Sequence, residues 1–500
     1  MEAMDRKMPS SIDYSDVLPL SVPAQSRRRK FFPVNGGEFR DTGSNEIRIP
    51  ISSTNALLDC EHSYLDFTIT NNNVAAPGPG AAAFSVDSGG AAMFFSRLRV
   101  EQAGKVLSDT REYNRLMASV INPVSETGDG RLAGSLRDQT QAGQIAGNPN
   151  TTPFAQGNVR GDRSGLCTHG GGTKIATGDS CRFSMPLMTG LFTQDKLIPL
   201  PLVSERDPIT IILTIDAAEN YGTYTTNLPA PGSVPITRIS YNAQLIEVGG
   251  DVISQFSQMR DLMGGQLALS GHDWEHNSEL LAGGAGGGGG ERIVSVPVRK
   301  RSIKSLFWVA NSNDVANTGL ASTALFYNKS FGGTCNMDSY QLKVGSVVYP
   351  PTPIQGPGDS AGAPSQTRRG ECLQELAKAM GTLGFAAPTG RLLNTLTYCA
   401  DVASAVGATT ASGDNGVGGA PLAANQTEPV YCAPFGIDLD AFQSTALEAG
   451  VDTATLAQHT SLILNIGPAT IGAEDKTIHT WICYDKHYYF NRDGSVSISD

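Results

Sequence analysis

The 500-residue sequence contains few charged residues and lacks the segments that define several protein classes. Charged residues make up 17% of the chain, against roughly 25% in ordinary soluble domains. No stretch approaches about 18 consecutive uncharged apolar residues, so we predict no membrane-spanning helix. The first twenty residues have dispersed charges and no apolar core of a secretion signal, which predicts a protein that is not secreted.

Cysteine and histidine are too scattered to predict a disulfide framework or a metal site. The eight cysteines include no C-x-x-C pair, and we interpret them as reduced, mostly buried thiols. The segment Gly271–His276 offers two histidines and two carboxylates, but it lies among glycines in a predicted solvated loop. We therefore expect no metal and no cofactor.

Three further candidate ligands lie on one face of the last predicted strand. They are His479, Cys483 and His487. At about 3.3 Å per residue, His479 and Cys483 lie roughly 13 Å apart, which is too far for one metal ion to bridge. We expect these side chains to pack or to form hydrogen bonds. Since no nucleophile, phosphate-loop or dinucleotide motif appears either, the sequence predicts that the protein is not an enzyme.

Glycine is abundant, and short alternating stretches follow one another along the chain. The 56 glycines exceed the roughly 7% share of average proteins. Ser63–Thr70, Phe94–Val100 and Asp207–Asp216 alternate apolar with polar residues, which is typical of half-buried antiparallel strands. The sequence therefore predicts an all-β protein.

Two helices and three long loops interrupt the predicted strands. The apolar spacing predicts helices over Tyr113–Ile121 and Val252–Met263. The loops are predicted at about 122–180, 264–290 and 350–430. The second loop ends in a glycine run that we interpret as a flexible linker. Structureless loops of this length normally have a function.

Elements of the first half recur in the same order between 239 and 258 residues later. The matched pairs are Ile49–Ile51 with Val296–Val298, Leu98–Leu107 with Tyr340–Tyr349, Tyr113–Ile121 with Glu371–Met380, Ser184–Leu187 with Cys432–Phe435, Ile209–Ile215 with Thr460–Ile466, and Ile239–Val248 with Ile478–His487. The repeated order predicts two tandem jelly-roll β-barrels with short helices and long loop insertions. The predicted domains are an N-terminal arm (1–40), a first jelly roll (41–250), a helix and Gly-rich linker (251–290) and a second jelly roll (291–500).

A basic run in the N-terminal arm is the one predicted interaction site. It consists of Arg27, Arg28, Arg29 and Lys30 and is followed by Phe31 and Phe32. The arm has four prolines and no sustained periodicity, which predicts mobility in the free protein. In a chain of net charge −11, the run fits contact with nucleic acid, an acidic protein surface or a membrane. A solvated tail or a transport signal is the alternative.

The pattern as a whole resembles the double jelly-roll major capsid proteins of DNA viruses. The most specific match runs from Met185-Pro186-Leu187 to Leu200 and is followed by the strand Ile209–Ile215. It is similar to a strand, turn, Leu-Pro-Leu and strand passage late in the family's first barrel. Trp481–Tyr484, ending on Tyr488–Phe490, resembles the family's last strand. Chain size and the sparse cysteines look most similar to polinton-like viruses, virophages and large eukaryotic DNA viruses.

The resemblance implies a structural major capsid protein. Members of this family form homotrimers, whose six barrels make a pseudo-hexagonal capsomer that tiles an icosahedral virion shell around a DNA genome. The implied partners are neighbouring capsomers, penton and minor capsid proteins, with assembly in the host cytoplasm or nucleus. The family's arm lies beneath the capsomer, so the Arg27–Lys30 run would face genome, internal membrane or inner protein. Phe31 and Phe32 would then dock on a neighbouring barrel.

Two other function classes stay open at this point. One is a two-jelly-roll carbohydrate-active protein that cleaves glycans, although such proteins are usually secreted. The other is a glycan-binding module without catalysis. Mass in solution separates the classes, since the capsid interpretation predicts trimers and larger lattices, and the other two predict monomers or dimers.

Overall fold

The computed structural model describes residues 24–73, 84–86, 90–121, 175, 177–193, 196–224, 230–281, 290–312, 337–357, 370–381, 434–441, 450–454, 459–466 and 476–499. The predicted arm before residue 24, most of the predicted loops 122–180 and 350–430, and the glycine run lie outside the described residues.

The described strands of the first half are numbered in chain order. They are β1 (Ala24–Phe31), β2 (Glu38–Phe39), β3 (Glu46–Ile51), β4 (Ala56–Thr70), β5 (Phe84–Val86), β6 (Phe95–Gln102), β7 (Lys105–Arg111), β8 (Ser180–Met185), β9 (Ile209–Ile215), β10 (Gly222–Tyr224) and β11 (Ile236–Val248). A short helix α1 (Tyr113–Arg115) continues into a π-helical turn (Leu116–Ile121).

The described strands of the second half follow the helix α2 (Gly250–Leu262). They are β12 (Gln266–Leu281), β13 (Gly290–Ser295), β14 (Ile303–Ser312), β15 (Met337–Val344), β16 (Val347–Gln355), β17 (Phe435–Asp438), β18 (Thr460–Ile466), β19 (Lys476–Asn491) and β20 (Val496–Ser499). The helix α3 (Gly370–Ala379) lies between β16 and β17.

Both halves have the same strand order. In the first half, one sheet runs β1-β11-β4-β8 and the other β3-β9-β6-β7. In the second half, the sheets run β12-β19-β14-β17 and β13-β18-β15-β16. Apart from the hairpins β6–β7 and β15–β16, successive main strands alternate between the two sheets of their half, which is jelly-roll connectivity. The predicted fold class, two tandem jelly rolls, is confirmed.

The matched pairs Ile209–Ile215 with Thr460–Ile466 and Ile239–Val248 with Ile478–His487 lie in equivalent strands of the two halves. Ile49–Ile51 ends β3, whereas Val296–Val298 follows the end of β13, and Cys432 and Ala433 lie outside the described residues. Leu98–Leu107 and Tyr340–Tyr349, each predicted as one strand, are hairpins. The first turns at Ala103 and Gly104, whose φ angles are +51° and +77°, and the second turns at Gly345, at +60°. Positive φ at the central residues produces the twist that joins two antiparallel strands tightly.

Two segments predicted to lie outside the barrels are strands of them. β1 and β2 both pair with β11, although the arm was expected to extend to residue 40 without secondary structure. β12 pairs with β19 along all sixteen residues, so the loop predicted over 264–290 is wrong for this part. Both strands are largely polar, and hydrogen bonding to a central strand, rather than an apolar face, holds them in their sheets.

The two barrel cores exchange side chains. Leu116, Val120 and Ile121 follow β7 of the first barrel but lie buried in the second core. In the opposite direction, Leu269, Tyr488, Phe490 and Val496 of the second half are buried in the first core. Because each core is completed by the other half, the barrels pack as one unit.

The expectation of reduced cysteines holds at some positions and fails at another. Cys60, Cys372 and Cys483 are free thiols, whereas Cys181 is disulfide-bonded. Nothing in the sequence indicated this bond, since no C-x-x-C spacing includes Cys181. No helix of the described ranges is long and apolar enough to cross a membrane.

Candidate interaction site

The basic run lies on an exposed edge strand of the first barrel. β1 pairs antiparallel with β11, from Ala24 opposite Val248 to Phe31 opposite Tyr241. It ends its sheet in the part of the chain that the structure describes, so its outer edge has no strand beside it there. Its first seven residues are exposed. Basic side chains on such an edge discourage indiscriminate pairing with other strands and remain accessible to an acidic partner.

Arg27 and Arg29 share one face of β1, because side chains alternate along a strand. The Nε atom of Arg27 lies 3.2 Å from a carboxylate oxygen of Glu247. The Arg29 guanidinium lies 5.0 Å from the centroid of the Phe31 ring. Exposed pairs of this kind contribute little to stability, so both guanidinium groups can exchange these contacts for those of a partner.

Arg28 and Lys30 share the opposite face. Arg28 donates a hydrogen bond of 3.1 Å to Oδ1 of Asn242. Its guanidinium also lies 5.3 Å from the centroid of the Tyr64 ring. These contacts hold Arg28 flat against the sheet, and they leave the cationic side chains of β1 divided between two faces rather than gathered in one cluster.

A buried carboxylate beside this face balances part of the positive charge. Asp66 accepts hydrogen bonds from both ends of the Arg182 guanidinium, at 2.7 Å from Nε, and from the Ser184 hydroxyl at 3.3 Å. Burial acts to raise the pKa of Asp66, but the hydrogen bond and charge of Arg182, with smaller effects of Ser184 and Lys30, lower it overall. Asp66 is therefore ionised at neutral pH.

The two aromatic residues that follow the basic run have different surroundings. Phe31 is 7% exposed and belongs to the first barrel's core. It is therefore not available to dock on a neighbour, contrary to the expectation, because the register places it opposite the buried Tyr241. Phe32 and Val34 are 62% and 70% exposed. These two side chains form the apolar part of the accessible surface next to β1.

A second site, which sequence analysis missed, lies buried between the barrels. Asp273 of β12 is 1% exposed. Its Oδ1 accepts hydrogen bonds from the Ser108 hydroxyl of β7 at 2.7 Å and from the backbone N–H of Gly190 at 3.2 Å. Thr189 completes the group by donating to the Ser108 hydroxyl at 3.0 Å. These bonds connect the second barrel to the first through one carboxylate.

The other oxygen of Asp273 pairs with its own barrel. Lys486 Nζ lies 2.8 Å from Oδ2, and both side chains are buried. The Tyr484 hydroxyl lies 3.5 Å from the same oxygen and 3.3 Å from Lys486 Nζ. A buried ion pair of this kind fixes geometry more than it adds stability, since both ions lose their hydration. Because Asp273 and Lys486 are 213 residues apart, no local spacing could predict their contact.

A third buried charged group lies inside the second barrel. Lys304 Nζ lies 3.0 Å from Asp440 and 3.7 Å from Asp485. Asp485 also accepts a hydrogen bond of 2.6 Å from the Ser302 hydroxyl. His272, which belongs to the segment Gly271–His276 considered above as a possible metal site, lies 2.9 Å from the other oxygen of Asp485.

The remaining histidines of β12 and β19 pair with neighbouring side chains. His276 and His479 share a hydrogen bond of 3.0 Å, and His487 shares one of 2.7 Å with Ser270. Burial raises the pKa of Cys483 to about 12, with the charges of Asp485 and Asp273 adding to it. The prediction that the face of His479, Cys483 and His487 packs and forms hydrogen bonds is confirmed. Within the described ranges, no three potential ligands converge on a metal position.

No protein-family model matches the chain. No curated protein matches it either.

The structure, in contrast, is similar to solved viral capsid structures. A chain of the PBCV-1 virus capsid superimposes with a TM-score of 0.57 at 10% identity, over 97% of this chain and 99% of that chain. The Faustovirus major capsid protein gives 0.52 at 10% identity, over 93% and 90%. The Sputnik virophage structure gives 0.51 at 11%, over 96% and 89%. Over nearly its whole length, this chain has the double jelly-roll fold of these capsid structures.

Proposed function

We propose that this protein is the major capsid protein of a DNA virus and that its role is structural rather than catalytic. The observation that supports this most directly is the pair of barrels with one strand order, locked side by side by buried polar contacts. A chain that holds two similar barrels in one fixed arrangement can serve as a repeating unit of a shell. The similarity to a major capsid protein over nearly the whole length supports the same role.

Three such chains supply six similar barrels. Closed rotational symmetry of a homotrimer then gives a pseudo-hexagonal capsomer from one gene product. Capsomers of this shape pack against each other into an icosahedral shell around the genome, with penton and minor capsid proteins at the vertices and seams. The protein would thus reside in the virion, after assembly in the host cytoplasm or nucleus.

The orientation of the barrels in the shell follows from the place of β1. Ala24 lies beside Val248, at the barrel end that also holds the turns after β3 and β6. We place this end toward the shell interior. The side chains of Arg27–Lys30 then meet phosphate, lipid head groups or inner protein, and Phe32 contacts a neighbouring barrel.

Native mass spectrometry of the purified full-length chain tests the assembly. We expect a trimer of about 158 kDa, three times the 52.6 kDa chain, and closed shells or sheets of capsomers by cryo-electron microscopy at higher concentration. A protein that stays monomeric or dimeric at every protein concentration tested would contradict the capsid role and favour a glycan-binding function.

The basic strand is tested by replacing Arg27, Arg28, Arg29 and Lys30 with Gln. We expect intact trimers that fail to close normal shells. If the partner is duplex DNA, each lost phosphate contact reduces the slope of log K against log salt by about 0.9. The matched control replaces four exposed basic residues of the same barrel that lie away from this end, namely Arg40, Arg48, Arg111 and Arg238. Equal assembly of the two variants would show that β1 is only a protected edge.

A further inference from the structure

A lysine and two aspartates meet in the interior of the second barrel. The side chains of Lys304, Asp440 and Asp485 are 7%, 8% and 1% exposed. Lys304 Nζ lies 3.0 Å from Oδ2 of Asp440 and 3.7 Å from Oδ2 of Asp485. The amine is therefore within reach of two carboxyl groups in a place that is almost closed to bulk water. We call these three residues the Lys304 cluster.

Backbone pairing places the first two members of the Lys304 cluster side by side. Lys304 belongs to β14, and Asp440 follows β17, whose last residue Asp438 lies opposite Ser305 of β14. One step further along, the N–H of Leu439 donates a hydrogen bond of 2.8 Å to the Lys304 carbonyl. The sheet itself thus brings the two side chains together. Groups that are held in this way react as if their concentration reached about 10⁵ M or more.

A separate set of contacts orients Asp485. Its Oδ2 accepts a hydrogen bond of 2.6 Å from the Ser302 hydroxyl, which accepts one of 3.1 Å from the N–H of Gly450. Its Oδ1 lies 2.9 Å from Nδ1 of His272, whose side chain is 45% exposed. Asp485 therefore lies between the buried amine and an imidazole at the surface. A carboxyl group in this position can accept a proton from the amine and return it.

Burial changes the chemistry that is open to the amine. Ions that leave water lose their hydration, so burial favours the uncharged amine and the uncharged acid over the ion pair. An uncharged lysine amine is a nucleophile. The carboxyl carbon of Asp440 is one bond away from the oxygen that lies 3.0 Å from Nζ, and a side-chain rotation brings this carbon to the amine. The cluster thus holds a nucleophile, its target and a second carboxyl group.

We propose that Lys304 and Asp440 become joined by an amide bond between Nζ and Cγ, with Asp485 transferring the protons. The ammonium first gives one proton to the Asp440 carboxylate. The electron pair of Nζ then attacks Cγ, and the new N–C bond forms. A second proton passes from Nζ through Asp485 to the departing oxygen, the C–O bond breaks, and water leaves. One ammonium and one carboxylate thus become one amide and one water molecule, without an oxidant or a cofactor.

The bond would fasten the edge of the second barrel. In the part of the chain that the structure describes, β17 is the last strand of its sheet, and it has only four residues. The amide would tie the segment after β17 to β14 across 136 residues of sequence. A cross-link over so long a loop restricts the unfolded chain and thereby stabilises the folded one. Because the bond lies within one chain, its presence does not depend on the proposed capsid role.

Mass spectrometry of the purified full-length chain, reduced and denatured before the measurement, tests the proposal. We expect the mass of the sequence less one water molecule. Tryptic digestion should then give a branched peptide that joins Lys304 to Asp440, with no cleavage after Lys304. A chain of the full sequence mass would overturn the proposal. A water molecule lost at another site, such as a succinimide at a different aspartate, would overturn it as well.

Variants assign the role of each group, and circular dichroism shows that they are folded. Lys304→Arg and Asp440→Ala should keep the full mass, whereas Asp440→Asn should lose ammonia instead of water. Proton-transfer groups contribute roughly 10²–10⁴-fold to rates, so folded Asp485→Asn should be mostly unlinked. The control is Lys343→Arg, at an exposed position of β15, and should be linked as completely as the original protein. Complete linking in Asp485→Asn would overturn the role of Asp485.

Discussion

The two barrels share one strand order but are stabilised by different side chains. The first core contains a cluster of phenylalanines, in which Phe67 lies 5.6 Å from Phe94 and 5.3 Å from Phe95 between ring centroids. The second core is built around Trp308, whose ring centroid lies 4.4 Å from that of Phe435. A jelly roll thus needs apolar side chains at the inward positions but tolerates different ones.

The barrels differ more sharply in buried charge. Asp273, Lys304, Asp485 and Lys486 are all buried in the second half, whereas the first half buries only the carboxylate of Asp66 among its described charged residues. The Asp273–Lys486 pair lies where the second barrel meets the first. Because such a pair costs desolvation energy and demands one geometry, we infer that it sets the relative position of the barrels.

The largest expected effect comes from truncating either aromatic core. Phe67→Ala and Trp308→Ala should each cost about 3–5 kcal/mol of unfolding free energy, through lost burial and the cavity left behind. Because the cores exchange side chains, both variants should unfold in one transition that is shifted to lower denaturant. Urea unfolding followed by tryptophan fluorescence and far-UV circular dichroism measures this. Two separate transitions, with only the mutated barrel affected, would show that the barrels are independent.

Removing one partner of the ion pair between the barrels comes next. Lys486→Met should cost about 3 kcal/mol, at the low end for a broken buried pair, because Asp273 keeps Ser108, Gly190 and Tyr484 as donors. Lys343→Met, at an exposed strand position, is the control and should cost less than about 0.5 kcal/mol. Urea midpoints compare the two. If both variants lost a similarly small unfolding free energy, the ion pair would not set the relative position of the barrels.

A smaller effect is expected from crowding the same interface. A Cβ on Gly190 would lie 2.8 Å from Cβ of Asp273 and against the Tyr488 hydroxyl. Gly190→Ala should therefore push the barrels apart and cost about 1–3 kcal/mol. Gly37→Ala adds the same methyl group where nothing lies within 4 Å. The thermal unfolding midpoints of the two variants should differ by several degrees. Equal midpoints would show that the interface accommodates the added methyl group without strain.

The smallest effect concerns Asp66 in the first barrel and depends on pH. Its pKa in the folded protein is lowered from the ordinary 3.8, so the ionised form stabilises the fold. This contribution is present above pH 3.8 and is lost as the pH falls through the lower folded value. Asp66→Asn should reduce the unfolding midpoint at pH 7, with the difference fading toward pH 2. A difference that stays constant over this range would show that the charge of Asp66 is not involved.

Apolar periodicity predicted those strands in which it extends over the whole element. Ile209–Ile215 and Thr460–Ile466 were predicted as equivalent, and they are β9 and β18 with the same bounds. Alternation over seven residues leaves only one register that buries the apolar face. The same rule failed at Leu98–Leu107, because apolar residues continue on both sides of the Ala103-Gly104 turn.

Polar strands and distant pairs could not be predicted in this way. β1 and β12 have no continuous apolar face, so their place in a sheet depends on hydrogen bonds to β11 and β19. The sequence revealed the basic run through its charge. That its side chains are divided between two faces followed only from the finding that β1 is a strand. The Asp273 site combines residues from β7, β12 and β19 with a loop. Such contacts depend on tertiary packing, which has no signature in a single sequence.

The exchanged core residues also impose an order in time when the chain is synthesised. The last strand of the first barrel ends at Val248, but Tyr488, which lies in that barrel's core, is made 240 residues later. At roughly 5 to 20 residues per second, the first barrel waits about 12 to 48 s for its last core side chains. Throughout this interval it exposes an apolar face that a chaperone must cover. A ribosome that stops early therefore releases a chain that cannot complete even its first barrel.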